Sequence, residues 1–170
     1  MEDAAAPRLD ELARLSSQRD IRLAVAESLT SGLLASRIGA AEDAATWFAG
    51  GVVAYQRSSK EDVLGIPNGI DLCSDLCAQT MAEGVRRLFG VDIAVSTTGV
   101  GGPEAQGVHA PGSVYLGWAV RGEAGHEFHR FDGDPTEVLE KTTAAAIALL
   151  CRLIDRRDPG PPPPEAAEPG

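Results

Sequence analysis

Apolar residues along the chain recur at two different spacings, which distinguish helices from strands. Leu9, Leu12 and Leu15 fall on one face of a helix predicted over 8–19. Short apolar runs bounded by glycine and polar residues predict strands instead. On these criteria further helices are predicted at 30–40, 60–64, 75–89 and 135–154, and strands at 21–26, 48–55, 91–97, 113–120 and 127–131.

The helix predicted at 75–89 has the clearest start, because it follows Ser74, whose side chain is a good N-cap. Helical spacing then predicts which of its residues are buried. The predicted buried stripe contains Leu76, Met81, Val85 and Leu88.

Helices and strands interleave early in the chain, and a hairpin with its turn at 121–125 comes late. This order predicts an α/β fold, specifically a three-layer α/β/α sandwich with a mixed, mostly parallel sheet. The domain is predicted to span 8–156, with flexible termini at 1–7 and 157–170. The proline run near the C-terminus has little to bury, although it also suits a proline-rich ligand for another protein.

The charge balance excludes some classes of function. Of the 170 residues, 15 are lysine or arginine and 25 are aspartate or glutamate, which gives a net charge of −10. Such a chain repels phosphate backbones, so no nucleic-acid partner is expected. The first residues do not resemble a secretory signal, and no apolar run approaches the roughly 20 residues of a membrane span. We therefore expect a soluble cytoplasmic protein with no membrane contact.

The cysteines leave two interpretations open. Cys73 and Cys77 are four residues apart, a spacing that places both on one face of a helix. Zinc would require two more ligands, and His109, His126 and His129 are not suitably spaced to supply them. We therefore expect no metal site and interpret the cysteines as thiols buried in the core.

Ligands of α/β sheets bind at the carboxyl ends of the strands. The segment 26–32 occupies such a position, because it follows the first strand and opens a helix, and it carries Ser28, Thr30, Ser31 and Gly32. Free amides and the positive end of the helix favour an anion such as phosphate there. Alternatively, one hydroxyl is a nucleophile, or Ser28 or Thr30 simply caps the helix.

A lysine follows the second strand, which ends near Tyr55. Lys60 in that position can act as the base for a serine if burial lowers its pKa, or it can hold a phosphate as a fixed charge. The plain alternative is a solvated surface lysine. Lys60 and Lys141 are the only lysines of the chain, against thirteen arginines. Because arginine does not act as a base, this scarcity favours a chemical role.

A glycine-rich loop follows the third strand, where residues 96–103 have the sequence Ser-Thr-Thr-Gly-Val-Gly-Gly-Pro. Glycines let backbone amides approach a phosphate or an oxyanion closely, whereas the plain alternative is an ordinary turn. The loop matches neither the Walker motif nor the dinucleotide-binding fingerprint.

Together these segments resemble a known family. The chain contains, in order, AESLTSGLLASRI, FAGGVVAYQRSSKEDVLGI, Ser74 followed by MAEGVR, STTGVGGP and PGSVYLG. In this series it is similar, from about residue 8 to 155, to the CinA C-terminal domain family, also called the nicotinamide-nucleotide amidohydrolases. Larger CinA proteins carry an additional N-terminal domain, so the chain resembles the stand-alone form.

The resemblance implies an activity. Family members hydrolyse the carboxamide of nicotinamide mononucleotide to nicotinate mononucleotide and ammonia, which recycles a pyridine nucleotide. The resemblance implies no cofactor and no metal, a small-molecule nucleotide as the partner, and a homo-oligomer, most simply a dimer.

The resemblance also implies roles for individual residues. Ser28 takes the place of the nucleophile and Lys60 that of its activating base, while Tyr55 and Thr98 line the site with them. The residues implied to bind substrate are Glu27, Thr30, Ser31, Gly32, Gly51, Gly99, Gly101 and Gly102.

The sequence departs from the family pattern at the start of the last helix. Family members commonly have Gly-Asp-Arg there and another arginine four residues on, whereas this chain has Pro135 and Leu139 at those positions. If the arginines bind the nucleotide phosphate, Arg130 or Lys141 is the expected substitute. The alternative hypothesis is a catalytically impaired member that binds a nucleotide or a partner protein.

Overall fold

The computed structural model of the protein describes residues 6–157, which contain five strands and six helices. The strands are β1 (Leu23–Glu27), β2 (Phe48–Val53), β3 (Ile93–Gly99), β4 (Ser113–Val120) and β5 (Glu123–Arg130). The helices are α1 (Ala6–Gln18), α2 (Leu33–Gly39), α3 (Ala44–Trp47), α4 (Arg57–Leu64), α5 (Asp75–Phe89) and α6 (Pro135–Asp155).

A single mixed sheet with the strand order β2-β1-β3-β4-β5 forms the centre of the fold. β1 pairs in parallel with β2 and β3, whereas β3 with β4 and β4 with β5 are antiparallel. The predicted α/β class and the mixed sheet are confirmed, and parallel pairing accounts for two of the four strand pairs.

Helices cover both faces of the sheet, which gives the predicted three layers. Leu23 and Val25 of β1 belong to the core that also contains the apolar faces of α1 and α6. Ala24 and Ala26 alternate with them and pack on the other side, against α4 and α5. All five residues of β1 are buried, so this strand lies at the centre of both cores.

The observed ends of the fold lie close to the predicted ones. α1 begins at Ala6, two residues before the predicted start of the domain, and α6 ends at Asp155. The prediction of flexible termini concerns mainly residues 1–5 and 158–170, which lie outside the described residues. No helix in the described part of the chain is long and apolar enough to cross a membrane.

α5 packs on the sheet through small residues rather than through the predicted leucines. Met81 and Val85 are buried as predicted, but Leu76 and Leu88 are 49% and 55% exposed, so that part of the prediction is wrong. Small side chains let the helix approach the strands closely, and this favours a different stripe. The buried face of α5 includes Cys77, Ala78, Ala82 and Gly84.

Element ends agree with the turn chemistry at most positions. The Ser74 hydroxyl accepts a hydrogen bond from the Cys77 N–H at 3.1 Å, which confirms the predicted cap of α5.

The hairpin turn is shorter than predicted, because β5 already begins at Glu123 and only Arg121 and Gly122 separate it from β4. β5 is an edge strand with mostly polar, partly solvated residues, so its first half lacks the apolar alternation of a strand. The short helix α3 has no comparable sequence pattern and was not predicted.

A buried carboxylate joins β1 to α2. Glu27 is the last residue of β1 and is 1% exposed. Its Oε1 accepts hydrogen bonds from the N–H groups of Gly32 (3.1 Å) and Leu34 (2.9 Å), and its Oε2 accepts one from Ala35 (3.0 Å). Glu27 therefore satisfies the first amides of α2, which neither Ser28 nor another neighbouring side chain caps.

The spacing between α4 and α5 is set by a glycine. An alanine Cβ at Gly84 of α5 would lie 2.3 Å from the carbonyl oxygen of Leu64, the last residue of α4. This contact is possible only without a side chain at residue 84. Because α4 also carries Lys60, Gly84 fixes the position of that lysine indirectly.

We predict that Gly84→Ala destabilises the protein. The added methyl group overlaps the Leu64 carbonyl, and overpacking of this kind costs on the order of 1–3 kcal/mol. The free energy of unfolding from urea denaturation measures the effect. Gly39→Ala is the control, since an alanine Cβ at Gly39 has no neighbour within 4 Å. Equal stability of the two variants would contradict the packing argument.

We also predict that Glu27→Gln is destabilising. The substitution removes the charge and turns one acceptor oxygen into an NH₂ group facing amide donors, a loss of about 1.5–3 kcal/mol. The matched control is Glu104→Gln, at an exposed loop position, for which a change within about 0.5 kcal/mol is expected. If Glu27→Gln melts at the same temperature as the unmodified protein, the cap does not stabilise the fold.

Candidate functional site

A cavity of about 390 Å³ opens beside the carboxyl ends of β1 and β3. Ser28 directly follows β1, and Thr98 and Gly99 end β3, so the cavity lies where ligands of α/β sheets bind. Its described lining consists of Ser28, Leu29, Tyr55, Lys60, Leu72, Cys73, Thr98, Gly99, Gly101, Gly102, Gln106, Pro135 and Leu139.

The structure brings seven of the twelve predicted site residues together. All four residues predicted to be catalytic line the cavity, together with three glycines of the predicted loop. The seven are Ser28, Tyr55, Lys60, Thr98, Gly99, Gly101 and Gly102.

The other five predicted site residues build the surroundings instead. Glu27 is buried and its carboxylate is occupied by the α2 amides, so the prediction that these amides are free for a phosphate is wrong. Thr30 is buried and its Oγ1 lies 2.7 Å from the Oγ1 of Thr97. Gly51 lies in β2, where an added Cβ would meet the side chains of Val25 at 2.9 Å and Ala35 at 3.2 Å. Its lack of a side chain serves packing.

Ser31 and Gly32 form the turn that follows Ser28. The Ser31 hydroxyl lies 3.3 Å from the Ser28 carbonyl oxygen, and its N–H donates to the same oxygen at 3.1 Å. Both Ser31 and Gly32 have positive φ angles, of 50° and 102°. These residues hold the backbone of Ser28 rather than line the cavity.

Ser28 itself is fixed by its backbone and lines the cavity with its side chain. Its N–H donates to the carbonyl oxygen of Thr97 at 2.9 Å, which continues the pairing of β1 with β3 by one residue. The residue is half-buried and belongs to the cavity lining, where a candidate nucleophile has to lie.

Lys60 is buried at the wall of the cavity, with only 1% of its surface exposed. Its Nζ donates hydrogen bonds to the carbonyl oxygens of Ala54 (2.7 Å) and Tyr55 (2.9 Å). Burial lowers the pKa of Lys60 from the ordinary 10.5, and the positive charge of Arg57 lowers it further, while Cys77 acts in the opposite direction. The alternative of a solvated surface lysine is therefore excluded.

The hydrogen bonds of Lys60 are compatible with either protonation state. A neutral amine has two hydrogens on Nζ and an ammonium has three, so both can donate to the carbonyl oxygens of Ala54 and Tyr55. Burial shifts the balance towards the neutral amine by lowering the pKa of Lys60. In the neutral form both hydrogens are used by the carbonyls and the lone pair is left to accept a proton, as a general base requires.

The cysteines near the cavity are structural. Burial raises the pKa of both Cys73 and Cys77 to about 11, so neither is a thiolate at neutral pH. All three cysteines are free and buried, as predicted for core thiols. Among the described residues, no group of three or more histidine, cysteine or acidic side chains is placed to hold a metal ion.

Three lining residues come from segments that the sequence did not indicate as part of the site: Leu72, Cys73 and Gln106. Leu29 also lines the cavity and lies within the predicted segment 26–32, although it was not singled out. Gln106 lies in a tight loop, in which its N–H and carbonyl exchange 3.0 Å hydrogen bonds with those of His109. The His109 ring in turn lies 2.5 Å from the carboxylate of Asp71, at Nε2 and Oδ2. These contacts attach the loop to the segment before α5 and place Gln106 at the cavity. The pairing joins distant segments, so no local pattern signals it.

The first turn of α6 closes one side of the cavity. Pro135 and Leu139, the two residues that depart from the family pattern, both line it. The predicted substitutes for the absent arginines lie elsewhere. Arg130 donates to the hydroxyl of Ser113 at 2.8 Å, and Lys141 donates to a backbone carbonyl at 2.5 Å. Neither cation is part of the cavity lining, so the prediction that one of them replaces the arginines is not met in this structure.

Comparison with other proteins places this architecture in a family. The model of the CinA C-terminal domain matches residues 6–154. A Bacillus velezensis protein named for competence-damage induction is 38% identical over 152 residues, and a CinA-like protein of Dictyoglomus thermophilum is 36% identical over 143 residues. The matches cover 86% and 81% of this chain but 36% and 35% of those proteins, so the chain spans about a third of the length of these relatives.

Solved structures show the same fold over nearly the whole described chain. A CinA superfamily protein from Klebsiella pneumoniae has a TM-score of 0.87 at 30% identity, and the match covers 90% of this chain and 99% of that one. A competence/damage inducible protein from Agrobacterium tumefaciens has a TM-score of 0.79 at 26% identity, with 88% and 96% covered. The chain therefore belongs to the CinA C-terminal domain family.

Proposed function

We propose that this protein hydrolyses the carboxamide of nicotinamide mononucleotide to nicotinate mononucleotide and ammonia. Membership of the family fits a role in pyridine nucleotide metabolism. The observation that carries the proposal is the presence, in the lining of one cavity, of a half-buried Ser28 and a buried Lys60 whose Nζ donates to two carbonyl oxygens.

The reaction begins with proton transfer from the Ser28 hydroxyl to neutral Lys60. The serine oxygen attacks the carboxamide carbon, and the carbonyl oxygen becomes an oxyanion. As the tetrahedral intermediate collapses, the C–N bond breaks, Lys60 returns the proton to the leaving nitrogen, and ammonia departs. A water molecule then attacks the acyl-serine ester while Lys60 takes a proton from it. As the C–O bond to Ser28 breaks, Lys60 returns that proton to the serine oxygen, and the acid product ionises and leaves.

The glycine loop is the source of backbone amides for this chemistry. Gly101 has open space around it, so a ligand can approach its backbone closely. Amides of Gly99, Gly101 and Gly102 would either stabilise the oxyanion or contact another polar group of the substrate. Tyr55 is 67% exposed at the mouth of the cavity, where its ring offers a flat surface for the pyridine.

A second candidate function is binding of a nucleotide or a partner protein without turnover. The observation that favours it is the pair Pro135 and Leu139 at the cavity wall, where family members commonly have arginine. The homodimer implied by the resemblance remains a proposal, as does the small-molecule nucleotide as the partner.

We predict that Ser28→Ala lowers the rate of ammonia release from nicotinamide mononucleotide by more than about 1,000-fold, because it removes the nucleophile. Lys60→Met, which removes the base, is expected to cost about 100-fold or more. The matched controls are Ser58→Ala on the exposed side of α4 and Lys141→Met, both outside the cavity lining. Melting temperatures show whether each variant is folded.

Two outcomes would count against the mechanism. Activity retained in folded Ser28→Ala protein would exclude the serine nucleophile. If the unmodified protein binds the mononucleotide with a raised melting temperature but releases no ammonia, the binding function becomes the better account.

The base also predicts a pH dependence. Since Lys60 is active only when neutral, kcat/KM rises with pH through the pKa of Lys60 in the free enzyme. Burial lowers that pKa, so the rising limb lies below the ordinary lysine value of 10.5. Initial rates of ammonia release from pH 6 to 10 measure the limb, and Lys60→Arg, which does not deprotonate, is expected to remove it along with the activity. A profile that is flat or falls with pH would contradict the role of Lys60.

A further inference from the structure

The cavity holds almost no charge for a site that receives a phosphorylated substrate. Its described lining contains one ionisable cation, Lys60, and otherwise only neutral side chains and glycine backbone. A guanidinium is the group best suited to a phosphate, because it donates two parallel hydrogen bonds and keeps its charge at all relevant pH values. No arginine contributes to this lining.

Lys60 is a poor replacement for such an arginine. Two of its donor positions are taken by the carbonyl oxygens of Ala54 and Tyr55. It is buried beneath the surface of the cavity, and in the proposed reaction it is needed at the carboxamide. The carboxamide and the phosphate lie at opposite ends of the mononucleotide, so one lysine does not serve both.

Three cations that lie outside the described cavity lining, Arg57, Arg130 and Lys141, have other partners. Arg57 donates to the carbonyl oxygen of Ile70 at 3.1 Å and lies 3.5 Å from a carboxylate oxygen of Glu61. Arg130 and Lys141 donate to Ser113 and to a backbone carbonyl, as described above. Residues 1–5 and 158–170, which lie outside the described part of the chain, include no lysine, arginine or histidine that would add a charged side chain.

The helix end at the cavity is also unsuited to a phosphate. A helix N-terminus attracts anions through its free N–H groups, but Pro135 has no N–H at the first position of α6. The capping box occupies further groups, since the Glu137 N–H donates to Asp134 Oδ1 at 2.9 Å and the Asp134 N–H donates to Glu137 Oε2 at 2.8 Å. Its two carboxylates place negative charge at the same end, and Leu139 adds an apolar surface.

We infer that substrate recognition in this cavity does not depend on a phosphate. Nicotinamide riboside, the nucleoside that lacks the phosphate, is then hydrolysed about as well as the mononucleotide. The inference rests on the proposed amide hydrolysis and extends it to a second class of substrate. The atoms balance as before, because the carboxamide takes up water and releases ammonia while the ribose is not involved. Pro135 and Leu139 are then the residues that determine specificity.

The first test compares the two substrates on the unmodified protein. We expect the KM for the nucleoside to lie within about threefold of the KM for the mononucleotide, since the phosphate finds no charged partner. A mononucleotide KM that is lower by about tenfold or more would overturn the inference, because it would require a phosphate contact.

The second test introduces a guanidinium at the wall. Leu139→Arg is expected to lower the KM for the mononucleotide by about tenfold and to leave the KM for the nucleoside unchanged. Leu139→Gln is the control, because it adds polarity and length without charge. Equal changes for both substrates in Leu139→Arg would overturn the assignment of residue 139 as a determinant of phosphate recognition.

Calorimetric binding to the Ser28→Ala protein separates this inference from the proposed function. If the unmodified protein hydrolyses neither substrate, the proposed function fails, and the two dissociation constants of the variant still decide the inference. Constants within about threefold support it, whereas tighter binding of the mononucleotide by about tenfold overturns it. Failure of both ligands to bind overturns the inference as well, since the cavity then recognises neither.

Discussion

The site depends on the hydrogen bonds that the buried carboxylate of Glu27 accepts at the start of α2. A polar group without solvent is tolerated only when hydrogen bonds replace the lost water, and three N–H groups do this for Glu27, those of Gly32 at the N-cap of α2 and of Leu34 and Ala35 in its first turn. Because Glu27 ends β1 and the amides begin α2, the bonds fix both ends of the turn between them. Ser28, in that turn, is also held by the Thr97 carbonyl. The candidate nucleophile therefore occupies a position determined by the sheet and not by a mobile loop.

The sequence predicts the elements of this fold well where burial leaves a periodic pattern. β1 and β3 are buried on both faces and appear as apolar runs, while α6 appears as a long helix. The pattern is less informative where packing depends on small side chains. On α5 the large Leu76 and Leu88 are exposed and Ala78 and Gly84 are buried, because closeness to the sheet and to α4 is decided by size. Hydrophobic periodicity predicts that the segment is a helix, but it does not determine which face of the helix packs on the sheet.

The candidate site shows a similar division. The segments of Ser28 and Thr98 could be selected because each follows or ends a predicted strand, and the scarcity of lysine favours a role for Lys60. The individual roles of the three residues come from the family resemblance. Gln106 could not be selected, since its place depends on the contact between His109 and Asp71, which joins segments far apart in sequence. Glu27 and Thr30 are the opposite case, because they were predicted to bind substrate but do not line the cavity. A motif marks the residues that a site requires, but it does not distinguish those that line the cavity from those that support the turn beneath it.

The neutral character of the cavity and the role of Lys60 are linked by electrostatics. A base must be deprotonated to act, and burial together with the charge of Arg57 lowers the pKa of Lys60 in that direction. A phosphate dianion bound nearby would raise the pKa, because it stabilises the protonated amine, and arginines on the wall would offset that effect by neutralising the phosphate. With Pro135 and Leu139 on the wall, that neutralising charge is absent from the described lining. In the proposed reaction, a substrate without phosphate therefore adds no negative charge that would oppose the lowering of the Lys60 pKa.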